Sequence, residues 1–357
     1  MSTSLQDRVL DALRTVQEPE LHRDLVTLGM IKDLVANDGK ISFTIELTTP
    51  ACPLRNQIES EARQAVSMVD GVKEIQIKMG ARVRSDGQNR DQMALAVKNI
   101  VAIASGKGGV GKSTVAVNVA VSLAQSGAKV GLLDADIYGP NVPTMMGVDG
   151  LPPQPGKKMM PAEAYGVKMI SIGFMVKPDQ PLIWRGPLLH SAIQQFLQDV
   201  DWGELDYLVV DLPPGTGDVQ LSLAQHVPLS GGVIVTLPQA VSLEDARRGL
   251  EMFRKLNVPL LGVIENMSYL ELPDGQRMDV FGSGGGEKLA EAANVDFMGG
   301  IPMDPSVRIS GDNGVPVVVS NPDSAPARAL RGLAEKIAAA LSVAAIQSHG
   351  VSIHLGE

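Results

Sequence analysis

Thiols are almost missing from this chain. Its 357 residues include one cysteine, Cys52, so no intrachain disulfide can form and a reducing, cytoplasmic setting is expected. Aromatic residues make up only 3%, too few for the stacking platforms that hold single-stranded nucleic acid. Positive charge is also short: 31 Lys and Arg face 40 Asp and Glu, for a net charge of −9, and basic residues never cluster beyond pairs such as Arg247-Arg248. A surface that neutralises DNA phosphates or an anionic bilayer needs concentrated positive charge, so neither nucleic acid nor membrane is an expected partner. The opening residues MSTSLQDRVL lack the basic-then-apolar pattern of a secretory signal. No apolar run approaches the length that spans a bilayer.

What remains is a core-forming chain, 44% hydrophobic and rich in Gly (37) and Pro (23). Its length suits one large domain and one small one. Residues 1–81 read as a small α+β domain. Leu5, Val9, Leu13 and Val16 repeat at helical spacing before Pro19, and IKDLVANDGKISFTIEL reads as two strands about the turn Asn37-Asp38-Gly39. A helix from Leu54 to about Met68 and a strand near Val72–Lys78 follow. Polar residues fill 82–98, which reads as a linker. From 99 to 346 the pattern changes to short apolar strands (NIVAIAS, KVGLLD, DYLVVD, GGVIVTL, PLLGVIE) separated by longer helical stretches. That alternation predicts an α/β fold with a doubly wound, mostly parallel sheet. A helix over about Ala325–Ala345 ends the domain, and 347–357 reads as a tail.

Between the first of these strands and the helix after it lies ASGKGGVGKST. Gly106 to Ser113 fits G-x-x-x-x-G-K-[ST], the phosphate-binding loop. Gly106, Gly108, Gly109 and Gly111, with Val110 and Thr114, let backbone N–H groups turn onto phosphate oxygens at a helix N-terminus. Lys112 is placed to reach the β- and γ-phosphates of a nucleotide, and Ser113 to ligate Mg²⁺. Asp211 closes the apolar strand 207–210 and fits the acid that holds Mg²⁺ through water, with the Gly-rich LPPGTGD beyond it. Asp134 and Asp136 close the strand KVGLLD. Asp136 is the candidate to orient an attacking water and Asp134 to support the magnesium site; capping of the next helix is the plainer alternative.

These motifs, together with LLDADIYGPN, WRGPLLHSAIQQFLQDVDWGELDYLVVDLPPGTGD and ENMS with FGSGGGEKLA, resemble the Mrp-type ATPases. Those are iron–sulfur cluster carriers of the deviant-Walker, MinD/ParA-like P-loop class. The first domain, with DLVTLGMI and LTTPACP, resembles the SufT/PaaD-like module that often precedes them. The resemblance implies an ATP-hydrolysing homodimer that serves apoprotein clients of iron–sulfur assembly. It gives Lys107, the second lysine of the loop, the task of reaching across the dimer to the partner's ATP, as an arginine finger does. It places Asn266 at the adenine ring and Pro302 and Asp304 in the neighbouring base-pocket segment. A positioning ATPase of the MinD or ParA kind would want a basic tail or basic patches, and no Lys or Arg follows Lys336.

One departure stands out. Many carriers of this kind hold a C-x-x-C pair after ENMS, where this chain has Leu272 and Gly275 around Pro273. A cluster normally takes four ligands, mostly thiolates, and two copies of this chain supply two. Cys52, just before a helix, is either a functional thiol that holds a cluster with help, for instance from His22, or a small buried packing residue. The alternative function is therefore a metal-free, nucleotide-dependent adaptor for client proteins.

Overall fold

The computed structural model describes residues 4–88, 90, 95–154, 156, 158–175, 186–272 and 274–348, with backbone alone for 186–190, 218 and 348. It divides into two compact units: the residues up to Arg84 with those from Ala338 onward, and Ser85–Ile337. No helix among the described residues is long and apolar enough to cross a membrane.

The smaller unit opens with helix α1 (Leu5–Leu13), started by a capping box in which Ser4 and Asp7 satisfy each other's backbone N–H. Two short strands follow, β1 (Gln17–Glu18) and β2 (Arg23–Asp24). A hairpin of β3 (Ile31–Asn37) and β4 (Lys40–Leu47) then turns through Asp38 and Gly39. Both turn residues have positive φ, +51° and +84°, the conformation a two-residue hairpin demands. Helix α2 (Arg55–Ser67) crosses over so that β5 (Glu74–Ala81) pairs parallel to β4. Alternate residues of β4 (Ile41, Phe43, Ile45, Leu47) point inward onto Val9 and Leu13 of α1 and Ile58, Ala62 and Val66 of α2.

The stretch 82–98 is divided between the units, with Ser85 onward belonging to the larger. Its anchor is Arg90, which grips the Asp86 carboxylate through two bonds of 2.6 and 2.7 Å. The same guanidinium donates to the carbonyls of Val97, Lys98 and Pro228. Ser230 completes the group, its hydroxyl donating to Asp86 at 2.5 Å and accepting from the N–H of Ile100. Using most of its donors and acceptors in this way makes a buried ion pair tolerable; Arg90 Nε has no partner among the described residues.

The larger unit is built on eight strands, interleaved with helices in chain order. They are β6 (Val97–Ser105), α3 (Lys112–Gln125), β7 (Val130–Asp134), α4 (Val142–Met146), β8 (Ala162–Ala164) and β9 (Val167–Ser171). Next come α5 (Gly186–Gln198), β10 (Leu205–Asp211), α6 (Asp218–His226), β11 (Gly231–Thr236), α7 (Ala240–Lys255) and β12 (Leu260–Glu265). A small hairpin, β13 (Leu270–Glu271) and β14 (Arg277–Met278), precedes α8 (Gly285–Ala293) and β15 (Phe297–Gly300). Three helices end the chain's described part: α9 (Pro305–Asp312), α10 (Val317–Ser320) and α11 (Ala325–Ser348).

The sheet order is β15-β12-β11-β6-β10-β7-β9-β8, and every neighbouring pair is parallel except β8 with β9. This is the doubly wound α/β sheet that the strand–helix alternation predicts. Sequence reading missed β8, β9 and β15. Both faces of the sheet are covered, which is why its central strands carry long apolar runs. Ile100, Ala102 and Ala104 of β6 pack into one core with Phe196 of α5, Leu250 and Phe253 of α7 and Leu289 of α8. Val101 and Ile103, equally buried, face the other way, and α3 lies against β6, β7 and β10. All the motif-bearing strands end on one edge of the sheet, the carboxyl edge, where folds of this kind bind ligands.

Candidate functional site

The loop after β6 is shaped by glycine. Gly109 and Gly111 adopt φ of +78° and +84°, and Gly111 begins α3 from the left-handed region. A Cβ on Gly111 would strike Asn266 Nδ2 at 2.1 Å, because that amide donates to Val110 O across 2.8 Å. Asn266 follows β12 directly, and Met267 behind it takes φ +52°, a rare conformation for a bulky residue. The sharp turn there sets the Asn266 amide against the loop.

At the centre is Lys112, its side chain only 5% exposed. Its Nζ lies 2.7 Å from Asp211 Oδ1, 3.2 Å from Asp136 Oδ2 and 3.3 Å from Ser113 Oγ. Ser113 in turn donates to Asp211 Oδ2 at 2.5 Å. Asp134 is fully buried beside them, Oδ1 accepting from the N–H of Asp136 and Oδ2 from Ser171 Oγ. One ammonium thus serves a group of carboxylates in a dry setting. Burial, then the neighbouring Asp211 charge, pushes the Asp134 carboxyl up to about 8. Burial also raises Asp211, against the pull of Lys112. Burial alone would lower Lys112, but the Asp211 and Asp136 carboxylates outweigh it and hold its pKa above the ordinary value. All three groups are shifted upward, and burial combined with neighbouring charge perturbs titration in this way at many functional sites.

Asp136 Oδ1 accepts from the N–H groups of Tyr138 and Gly139, so it ties down a turn. The cap position of α4 belongs to Asn141 instead. Lys107 is half-buried, and among the described residues its Nζ has no hydrogen-bond or ion-pair partner. Beside the loop, Gly106 is packed directly on the backbone of α7 at Asp245, and Gly108 faces Pro214 of the LPPGTGD segment.

From Gly111 and Thr114 a cavity of about 760 Å³ extends past Asn118 and Asn266 to Pro302 and Asp304, a size that suits a small-molecule ligand. Asp304 caps α9 by accepting from Ser306 N at 2.7 Å. Asn118, which sequence reading passed over, joins α3 to the cavity wall by bonding Thr114 O and Val318 N. Ser171 was also missed; a polar residue ending the short, lysine-interrupted run VKMI was its only signal.

Where the resemblance places a thiol pair, Leu272 N donates to Gln276 O and Gly275 N to Leu272 O, closing the hairpin of β13 and β14. Arg277 stacks on the Tyr269 ring, 4.1 Å from its centre. Cys52 lies in the other unit, half-buried against that unit's core shortly before α2. Among the described residues no three His, Cys, Asp or Glu side chains form a metal-binding group. Pro273 lies outside the described residues, as does most of the tail, 349–357.

Residues 96–338 match the family model of the ParA class described as NUBPL iron-transfer P-loop NTPase. Residues 6–77 match a second model, that of an iron–sulfur cluster assembly protein. The iron–sulfur cluster carrier protein of Synechocystis is 54% identical over 349 residues, covering 95% of this chain and 99% of that one. The carrier protein of Deinococcus radiodurans is 53% identical over 343 residues, with 95% and 96% covered. Among solved structures, a nucleotide-binding protein of Archaeoglobus fulgidus in complex with ADP is 36% identical. It superposes with a TM-score of 0.56 over 64% of this chain and 91% of its own. With its loop, its buried lysine and its strand-end carboxylates in place, the chain belongs to the NUBPL iron-transfer family of P-loop NTPases.

Proposed function

We propose that the chain hydrolyses ATP as a dimer and uses that cycle to load and release an iron–sulfur cluster destined for apoprotein clients. The observation that carries the ATPase reading is Lys112, buried between Asp211 and Asp136 at the head of α3. ATP lies with its phosphates on the loop 106–114 and its base in the cavity toward Asn266 and Pro302. Ser113 and Asp211 bring two hard oxygens within 2.5 Å of each other beside the loop, a donor set that suits Mg²⁺ held by them directly or through water. Bound there, the ion neutralises charge on the β- and γ-phosphates. Lys112 exchanges its carboxylate contacts for phosphate oxygens, and Asp136 orients the water that attacks the γ-phosphorus as the bond to the ADP oxygen breaks. Lys107, without a partner in its own subunit among the described residues, supplies positive charge to the opposite nucleotide.

The names of the relatives support the cargo. The lone thiol favours a second reading, an adaptor that delivers client proteins without metal. Anaerobic reconstitution with iron and sulfide separates the two, comparing wild type with Cys52→Ala for bound iron and charge-transfer absorption. A stoichiometric cluster lost in the variant is the expected result. Absence of any cluster from wild type that still hydrolyses ATP would leave the adaptor.

A further inference from the structure

Ser171 ends β9, three strands across the sheet from β6 and its phosphate loop, yet its hydroxyl belongs to the network around Lys112. Its Oγ donates to Asp134 Oδ2 at 2.8 Å and accepts from Gly173 N at 2.9 Å. Asp134 Oδ1 accepts from the N–H of Asp136 at 3.1 Å, and the Asp136 carboxylate faces Lys112. Ser171 and Asp134 are both completely buried, so neither bond has water to replace it. Beyond Asp136, the same loop is pressed on the turn that follows Ser171. A Cβ on Gly173 would sit 3.1 Å from Pro140 Cβ and 3.1 Å from Ser171 Oγ. The loop carrying Asp136 is thus held at one end by a hydrogen-bond chain and at the other by contact with the 172–175 turn.

We propose that Ser171 is a positioning residue for ATP hydrolysis, fixing through Asp134 the backbone from which Asp136 reaches toward Lys112 and the attacking water. The inference rests on the assignment of Asp136 made above. A buried, fully bonded hydroxyl could also serve stability alone, and the two roles differ in what they do to turnover. A water-orienting carboxylate moved by about 1 Å loses roughly a hundredfold in rate while the nucleotide still binds. A purely stabilising hydroxyl leaves the turnover of the folded fraction alone.

The test compares Ser171→Ala, Ser171→Cys and Ser171→Thr with Asp136→Asn and with the double variant Ser171→Ala/Asp136→Asn. Each is assayed for kcat and KM with ATP and for affinity toward a fluorescent ATP analogue, well below its melting temperature. Cysteine fills the space with a poor donor and guards against an alanine variant that fails to fold, while threonine keeps the hydroxyl. The expected result is a kcat about 10- to 100-fold lower for the alanine and cysteine variants. KM and analogue affinity stay within about threefold of wild type, threonine restores most of kcat, and the double variant is no slower than Asp136→Asn. Wild-type kcat in the cysteine variant overturns the proposal, as does a double variant slowed by the product of the two single effects. If Asp136→Asn itself turns over normally, the assignment of Asp136 fails first and the role of Ser171 falls with it.

Discussion

Gly106 is the residue at which the phosphate loop and the sheet's helical cover meet most closely. A Cβ built on it would lie 2.1 Å from the carbonyl carbon of Asp245, 2.2 Å from its oxygen and 2.5 Å from the nitrogen of Ala246. Real Cβ atoms essentially never approach within 3.0 Å, so Gly106→Ala requires a retreat of about 0.9 Å, the difference between 3.0 and 2.1 Å. The obstacle is the backbone of α7 and cannot swing aside as a side chain would. Overpacking a core costs about 1–3 kcal/mol, and a rigid obstacle puts this case near 3. A unit of this size loses about 2–4 °C per kcal/mol, so the melting temperature should fall by roughly 6–12 °C. If the loop moves instead of the helix, the displacement falls on the phosphate-binding N–H groups, and turnover drops by about a hundredfold. Gly108→Ala is the internal control, because its Cβ would meet only Pro214 at an ordinary 3.9 Å, and its melting should stay within about 1 kcal/mol of wild type. Thermal melts with and without ADP, and ATP turnover on both variants, make the comparison. Gly106→Ala melting and turning over like Gly108→Ala would refute the argument from close packing.

Lys107→Ala should melt within about 0.5 kcal/mol of wild type, since the side chain is half-exposed and its Nζ has no partner among the described residues. Its turnover should fall by about 10³-fold or more, and mixing it with a variant defective at Lys112 should restore part of the activity; no restoration would speak against a lysine working across subunits. Asn266→Ala removes the 2.8 Å bond to Val110 O and the wall beside Gly111, so nucleotide affinity should weaken about tenfold, equivalent to about 1.4 kcal/mol, as titration calorimetry would read. Asp134 carries a pH signature: with its folded value near 8 and its ordinary value 3.8, the native state holds a proton that the unfolded chain releases between them. Its contribution to stability therefore declines as pH rises from about 4 to 8, by at most about 1.4 kcal/mol per unit, and is level above. Urea melts in chelator should show that slope in wild type and a flatter one in Asp134→Asn.

Sequence alone exposed the parts of this protein whose physics is local. The phosphate loop is legible because only glycine takes the φ of Gly109 and Gly111, and its flanks are an apolar strand and a helix. The central strands are legible because burial on both faces makes them continuous apolar runs. The short strand β9, VKMIS, hides because Lys168 interrupts it, and that lysine is placed by a bond to Trp202 O far along the chain. The strand β15, FMGG, hides because two glycines read as a turn until β12 is found beside them. Within the site, Asp211 announces itself at the end of β10 and Asp136 two residues past the end of β7. Their attachment to one ammonium, and the support of Asp134 by Ser171, depend on strand order, which no local pattern encodes.

The clamp of Asp86, Arg90 and Ser230 bears on where this protein can be cut. A fragment begun at the first obvious strand, near residue 99, would lose Leu95 and Val97 from the core. It would also lose both charges of the pair, stranding the carbonyl of Pro228 and the hydroxyl of Ser230 without their donor and acceptor. A fragment begun at Ser85 keeps them all. The spacer between the modules is therefore not interchangeable: replacing 85–90 with a Gly-Ser run of equal length would keep the connection and unstitch one margin of the nucleotide-binding unit.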